Sequence, residues 1–111
     1  MPSLSTHVLD TESGVPAAGV PVTLARQDGD TLVEVAAATT DQDGRIRDLA
    51  PALPAGAYQL TFDVAAYLRQ EGRPVTFLRR VLIEFEAQAD GGHYHVPLLV
   101  SRYSCTSYRG S

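Results

Sequence analysis

The 111-residue sequence contains no lysine and no tryptophan, and it has a single cysteine and a single methionine. Without lysine, Schiff-base catalysis by an amine side chain is excluded. The lone Cys105 excludes an internal disulfide and any metal site built from several cysteines. No apolar run approaches the roughly 20 residues that a membrane-spanning helix needs. A membrane is therefore not an expected partner.

Basic residues are also few and scattered. The nine basic residues, all arginine, are outnumbered by 13 acidic ones, and the net charge is −4. Without a basic cluster, nucleic acid is not an expected partner either. The length fits one domain over residues 1–111. The first residues lack signal-peptide features and the end lacks a peroxisomal Ser-Lys-Leu, which together with the missing lysine favours a bacterial cytoplasm.

Alternation of apolar and polar residues dominates the chain and predicts an all-β domain. Seven or eight short strands, with turns at intervals of roughly 8–12 residues, are typical of a β-sandwich of two sheets. Strands are predicted at 5–9, 20–26, 31–38, 45–47, 56–62, 81–87 and 93–100, and the tail 103–111 suits an edge or interface strand. One short helix is predicted over 63–71, with Asp63 as its N-cap and Gly72 as its end.

The strand faces that point away from the core are predicted to carry all three histidines. The apolar core face of the strand 93–100 consists of Tyr94, Val96, Leu98 and Val100. Because side chains alternate along a strand, His93 and His95 share its opposite face. The same alternation turns His7 outward in the first strand, and Arg45 and Arg47 outward in the short strand 45–47. These residues could share one outer sheet face.

Three kinds of site could use such a face. Histidines can chelate a metal, but no carboxylate is predicted beside them and the arginines would repel a cation. Cys105 or Ser111 could act as a nucleophile with a histidine base, but no nucleophile motif surrounds either, and we expect Cys105 to be a small packing residue. Histidine can instead activate water while arginine holds a carbonyl or an oxyanion. This third chemistry needs no metal and fits the residues present.

Three segments carry a resemblance to a known family. They are His7-Val8-Leu9-Asp10 with Gly14-x-Pro16-Ala17, then Thr40-Asp41-x-Asp43-Gly44-Arg45, and finally His93-Tyr94-His95-Val96-Pro97-Leu98-Leu99 followed by Tyr108-Arg109-Gly110-Ser111. Together they resemble the 5-hydroxyisourate hydrolases, the enzymatic members of the transthyretin-like family, over essentially the whole chain. The terminal tetrapeptide is the most specific motif, because it separates the hydrolases from transthyretin, the hormone carrier.

The resemblance implies a two-sheet transthyretin-like sandwich with one short helix. It also implies a homotetramer, a dimer of dimers, with active sites in a channel where outer sheet faces meet. The implied substrate is 5-hydroxyisourate, hydrolysed without a cofactor or a metal. The alternative is a transthyretin-like carrier that binds a small ligand without turnover. An interaction domain with no small-molecule site would leave the outward histidines and arginines unexplained.

The resemblance also implies the roles of individual residues. The positions that match catalytic residues of the family are His7, Arg45, His95 and Ser111. The implied substrate-binding set is His7, Arg45, Tyr108, Arg109, Gly110 and Ser111. His93 is a secondary candidate, because it shares a strand face with His95 but does not match a residue usually assigned to the chemistry. The histidines are expected to deprotonate water, and Arg45 to stabilise the oxyanion.

Overall fold

The computed structural model describes residues 2–111, which form two β-sheets and one helix. The elements are β1 (Ser3–Asp10), β2 (Val15–Pro16), β3 (Pro21–Asp28), β4 (Thr31–Thr39), β5 (Arg45–Ala50), β6 (Gly56–Phe62), α1 (Val64–Gln70), β7 (Val81–Ala87), β8 (His93–Val100) and β9 (Cys105–Ser107). The predicted all-β sandwich with one short helix is confirmed.

Strand β1 lies in the middle of the five-stranded first sheet. It pairs in parallel with β8 on one side. On its other side it pairs antiparallel with β5 and, at its end, with β2. Strand β9 forms an edge of this sheet and pairs antiparallel with β8. The second sheet has the antiparallel order β4-β3-β6-β7. Three strands distant in sequence, β1, β5 and β8, are therefore neighbours.

The core lies between the two sheets and is closed by α1. Its fully buried side chains alternate along the strands and include Leu4, Val8, Leu98, Leu24, Leu60 and Phe62. Each such side chain contributes about 1.5–3 kcal/mol when it is removed from water. The inward parity predicted for β8 is confirmed, since Tyr94, Val96, Leu98 and Val100 are all buried. The opposite face of β8 is consequently free to carry polar side chains.

The strand boundaries follow the sequence pattern closely. Strands β6, β7 and β8 have the bounds that alternation predicts. Strand β5 was predicted to end at Arg47 but continues to Ala50, because Leu49 and Ala50 are buried and Ala50 pairs with Leu4. The two-residue β2 was not predicted. Cys105 is exposed on the edge strand β9, so the expectation that it is a small packing residue is wrong for the single chain.

Helix α1 begins and ends with capping interactions that its sequence encodes. The Asp63 carboxylate accepts a hydrogen bond from the Ala66 amide at 3.0 Å, which satisfies a free N–H group of the first turn. Gly72 has a φ of 69°, and the Arg73 amide donates back to the Leu68 carbonyl at 2.9 Å. This left-handed glycine cap reverses the chain. Arg73 is thereby directed towards the end of β1.

Candidate active site

The outer face of the first sheet gathers the histidines and Arg45. The antiparallel pairing of β1 with β5 sets His7 opposite Arg45. The parallel pairing of β1 with β8 sets Ser5 opposite His95, and Ser3 opposite His93. Side chains of directly paired residues point to the same sheet face. Strand β1 is therefore the element that joins the arginine of β5 to the histidines of β8.

A cleft of about 320 Å³ lies on this face. Its lining residues are Ser5, Thr6, Arg45, Arg47, His93, His95 and Ser111. The structure thus brings four of the predicted site residues, Arg45, His93, His95 and Ser111, to one cleft. His7 is half-buried beside Arg45 on the same face but does not line the cleft itself.

Hydroxyl groups of β1 hold both histidines of β8. The Ser5 Oγ lies 2.8 Å from Nδ1 of His95 and 2.7 Å from Nε2 of His93. The other nitrogen of the His93 ring, Nδ1, lies 2.5 Å from the Ser3 Oγ. Because Nδ1 of His95 is engaged with Ser5, its Nε2 is the ring nitrogen available to a water molecule or a substrate.

The surroundings of His95 disfavour its charged form. Burial of the ring is the largest cause that lowers the pKa of His95 from its ordinary value of 6.5, followed by the positive charges of Arg45, His7 and His93. At neutral pH the imidazole is therefore uncharged and can accept a proton. A neutral histidine beside a guanidinium can serve as a general base and stabilise a developing negative charge at the same time.

The chain terminus is docked against β8. The Gly110 amide donates a hydrogen bond to the His95 carbonyl at 2.7 Å, which forms an isolated antiparallel bridge. A Cβ atom at position 110 would lie 2.7 Å from Cδ2 of the His95 ring. Only glycine allows this approach without moving the ring. The bridge delivers Ser111 to the cleft.

The side chains of Tyr108 and Arg109 lie on the other side of this bridge. The Arg109 guanidinium stacks over the Tyr94 ring, 4.1 Å from its centroid, and donates to the Gly91 carbonyl at 2.6 Å. Tyr108 and Arg109 line a separate cleft of about 350 Å³ with Phe85 of β7. Within the single chain, the structure therefore places these two side chains in a cleft apart from the His95 ring, whereas Gly110 and Ser111 connect the motif to the histidine cleft.

Several residues of the site escaped the sequence prediction. Ser3 and Ser5 have the same strand parity as His7, and the structure places them on the same face as the histidines. Their contacts depend on the parallel register of β1 and β8, which no local pattern reveals. Arg47 was predicted to point outward, but its place in the cleft was not. It also forms an ion pair with Asp41 at 3.2 Å.

The alternative of a metal site requires a set of ligands, which the structure does not bring together in the part of the chain that it describes. Within residues 2–111, no group of three or more His, Cys, Asp or Glu side chains is positioned to hold a metal ion. Over the same residues, no helix has the length and hydrophobicity to cross a bilayer.

This sandwich, with polar residues of β1, β5 and β8 on one outer face, has close relatives. Residues 4–110 match the model of the HIUase/Transthyretin family. The chain is 44% identical over 115 residues to the 5-hydroxyisourate hydrolase of Caulobacter vibrioides, with 100% of both chains covered. It is 45% identical to that of Deinococcus radiodurans, covering 99% of this chain and 97% of the relative.

Solved structures agree with these sequence relatives. The 5-hydroxyisourate hydrolase of Klebsiella pneumoniae superposes with a TM-score of 0.88 at 38% identity, with 100% of both chains covered. Sea bream transthyretin in complex with thyroxine superposes with a TM-score of 0.90 at 30% identity, covering 97% of this chain and 94% of that one. The fold defines a transthyretin-like protein. The chain belongs to the HIUase/Transthyretin family.

Proposed function

We propose that this protein is a cyclic amide hydrolase acting on 5-hydroxyisourate, the product of urate oxidation. Hydrolysis opens the six-membered ring and gives 2-oxo-4-hydroxy-4-carboxy-5-ureidoimidazoline. The observation that carries the proposal is the convergence of His95, Arg45 and Ser111 on one cleft. The substrate is supported by the full-length relatives named 5-hydroxyisourate hydrolase. Histidine, arginine and water supply the chemistry, so the proposed reaction uses no cofactor.

In the proposed reaction His95 takes a proton from water through Nε2. The lowered pKa of His95 keeps the ring neutral at physiological pH. The Arg45 guanidinium orients the substrate carbonyl and stabilises the tetrahedral oxyanion. His7 lies on β1, opposite Arg45 of β5, and helps to position the attacking water. Loss of any one of these groups should lower the rate on the order of 10²–10³-fold.

The terminal motif is proposed to complete the site through its last two residues. Ser111 offers both a hydroxyl and an α-carboxylate, whose pKa is roughly 3.3–3.7 in unperturbed chains. Either group can accept a hydrogen bond from a substrate N–H. Gly110 permits the close approach to His95. Substrate binding by Tyr108 and Arg109 remains a prediction, and within one chain the Arg109 guanidinium instead stacks on Tyr94.

We further propose a homotetramer, a dimer of dimers, in the cytoplasm of a bacterium. The cleft opens on an outer sheet face, and a second copy packed over it would exclude water from the reaction. Within residues 2–111, β7 and β9 each end a sheet, and sheet edges favour pairing with another chain. Light scattering at micromolar concentration should give the mass of four chains, whereas a monomer would contradict the shared-channel arrangement.

One assay distinguishes a hydrolase that turns over 5-hydroxyisourate from a carrier that only binds a small ligand. Urate, urate oxidase and catalase generate 5-hydroxyisourate without peroxide, and its absorbance decay is followed with and without the protein. Faster decay than the spontaneous rate supports the hydrolase. The similarity to sea bream transthyretin in complex with thyroxine favours a carrier as the second candidate. Tight ligand binding with an unchanged decay rate would support that carrier and exclude the hydrolase.

A further inference from the structure

A chain of hydrogen bonds leads from His95 through Ser5 to His93 and Ser3. It runs from Nδ1 of His95 to the Ser5 Oγ at 2.8 Å, and from that oxygen to Nε2 of His93 at 2.7 Å. Nδ1 of His93 then meets the Ser3 Oγ at 2.5 Å. Ser5 is buried, with 8% of its surface exposed, whereas His93 is exposed. The chain therefore connects a half-buried histidine to an exposed one.

The Ser5 hydroxyl couples the protonation of the two rings. It has one proton to donate, yet it contacts a ring nitrogen on each side. When it donates to one nitrogen, the other nitrogen must donate to Ser5 for both contacts to be hydrogen bonds. When the Ser5 proton lies in this chain and both rings are neutral, a proton on Nδ1 of His95 is paired with an unprotonated Nε2 on His93, and the reverse holds as well.

We propose that Ser5 and His93 are positioning residues that act through His95, fixing its reactive tautomer and carrying a proton from the His95 ring to the His93 ring during turnover. The inference rests on the proposed hydrolysis, whose residue assignments it extends. In the resting state Nδ1 of His95 donates to Ser5, Ser5 donates to His93, and His93 donates to Ser3. Nε2 of His95 then presents a lone pair to the attacking water.

The proton transfers balance along this chain. The breaking O–H bond of water gives its proton to Nε2 of His95, and its electron pair stays on oxygen to form the bond to the substrate carbonyl carbon. The carbonyl π pair moves onto oxygen, giving the oxyanion beside Arg45. The Nδ1 proton of His95 passes to Ser5, and the Ser5 proton passes to Nε2 of His93. The oxyanion pair then re-forms the carbonyl, and the C–N bond of the ring breaks with its electron pair on nitrogen. Nε2–H of His95 protonates that nitrogen, while one proton returns from Nε2 of His93 to Ser5 and the Ser5 proton returns to Nδ1 of His95, which restores the resting state.

Within the single chain, the relay moves positive charge from a half-buried ring to an exposed one. A charged His95 would sit half-buried among like charges, whereas His93 is exposed. The titratable or charged groups that line the cleft with His95, or that lower its pKa, are His7, Arg45, Arg47, His93 and the terminal carboxylate of Ser111. Most of these groups are arginines or histidines. Transfer of the proton from His95 therefore lowers the repulsion between the His95 ring and these neighbours during the reaction.

Steady-state kinetics with 5-hydroxyisourate test the relay. Ser5→Ala removes the bridging oxygen and should lower kcat at least about tenfold, with KM changed by less than about twofold. Ser5→Thr keeps the hydroxyl on a strand-favouring residue and should restore most of kcat. His93→Gln keeps a hydrogen-bonding group that cannot store a proton, so its kcat should fall as in Ser5→Ala. Ser101→Ala, which removes a serine hydroxyl in the turn after β8, is the matched control and should leave kcat unchanged.

Rates in mixtures of H₂O and D₂O separate a relay from a merely structural role. Concerted transfer of several protons should give a curved dependence of kcat on deuterium fraction in the wild type, and a linear one in Ser5→Ala and His93→Gln. The relay is overturned if both variants keep kcat within about twofold of the wild type. It is equally overturned if kcat falls but the dependence keeps its wild-type form, since the residues would then only support the fold.

Long-range ¹H–¹⁵N spectra of the histidine rings separate failure of the relay from failure of the proposed function. Above the histidine titration range, His95 should carry its proton on Nδ1 in the wild type and lose this preference in Ser5→Ala. An unchanged tautomer in Ser5→Ala contradicts the relay, whatever the protein does to 5-hydroxyisourate. A wild-type protein without turnover refutes the hydrolase assignment, even if the tautomer follows Ser5.

Discussion

At the scale of single residues, His95 is defined by what surrounds it. Its neighbours fix one ring nitrogen through Ser5 and lower its pKa through burial and nearby positive charge. A histidine whose ordinary pKa is 6.5 is protonated in part near neutrality. Lowering that value keeps it neutral, so a proposed base beside Arg45 can work without first losing a proton.

Removal of the Arg45 charge should change the titration of His95. Arg45→Gln removes a nearby positive charge, the largest cause of the low His95 pKa after burial, so that pKa should rise. In the wild type, activity should fall on the acid side only below pH 6.5, as His95 becomes protonated. NMR titration of the His95 ring measures the shift directly. Arg26→Gln, an exposed arginine of the second sheet, should leave the titration unmoved, and an unchanged His95 pKa in Arg45→Gln would refute the electrostatic account.

The outward residues show what a sequence can and cannot predict. Alternation alone placed His7, His93 and His95 on outer faces, because a buried apolar partner face fixes the parity of each strand. The contacts of Ser5 could not be predicted from the sequence. They require β1 and β8, separated by most of the chain, to pair in parallel with one particular register. The packed core sets the register between strands that are distant in sequence, so this register cannot be predicted from local patterns.

At the scale of elements, an ion network joins α1 to the strand that carries His7. The end of β1 contributes Asp10, which is 1% exposed and accepts hydrogen bonds from the Tyr67 hydroxyl at 2.8 Å and from Arg73 at 2.5 Å. Arg73 also meets Glu12, which binds Arg102 in the turn after β8. The glycine cap of α1 directs Arg73 into this network, which fixes β1 relative to β8.

Asp10→Asn should destabilise the fold by about 1.5–3 kcal/mol, because the hydrogen bonds lose their charged acceptor. Burial opposes ionisation of Asp10, but hydrogen bonds from Arg73, Tyr67 and the amides of Ser13 and Glu12 outweigh it and lower its pKa below 3.8. Since the folded state then binds fewer protons, this stabilisation is present above pH 3.8 and is lost as the pH falls through the folded pKa.

Urea unfolding at neutral pH and at pH below 3 measures both effects of Asp10→Asn. The difference between variant and wild type should be large at neutral pH and shrink in acid. Asp30→Asn, an exposed aspartate in the turn between β3 and β4, serves as the control and should unfold like the wild type. An Asp10→Asn variant as stable as the wild type at neutral pH would show that the network contributes nothing.

The sequence predicted regular elements better than short ones. Strands β6 and β7 alternate without interruption, β8 alternates except at the buried Pro97, and the bounds of all three were predicted to the residue. Strand β5 contains the polar Asp48 directly after Arg47, so the alternation of apolar and polar residues does not show that the strand continues to Leu49 and Ala50. The two residues of β2 are held by pairing with β1, not by propensity. Where a strand exists because a neighbour offers hydrogen bonds, the sequence alone does not reveal it.

At the scale of the whole molecule, the end of the chain is part of the cleft. Gly110 is bridged to His95, and Ser111 lines the cleft that contains Arg45. In the proposed tetramer, a second copy would pack over this face. In that assembly, residues added after Ser111 would enter the cleft or the interface.

A C-terminal extension beyond Ser111 should therefore impair activity much more than an N-terminal one. It replaces the terminal carboxylate by an amide and pushes new residues into the cleft or the proposed interface. Turnover of 5-hydroxyisourate by the two tagged proteins makes the comparison, with thermal unfolding to verify that both are folded. Cleavage of the C-terminal tag back to Ser111 should restore activity. Equal activity of the two tagged forms would contradict a functional role for the tail.

The central claim is that His95 and Arg45 act together in hydrolysis. The most direct measurement is kcat/KM for freshly generated 5-hydroxyisourate in His95→Ala, Arg45→Ala and the double variant. Each single variant should lose on the order of 10²–10³-fold, and the double variant should lose much less than the product of the two, because groups acting on one transition state are not additive. Variants that turn over 5-hydroxyisourate at the wild-type rate would contradict the account.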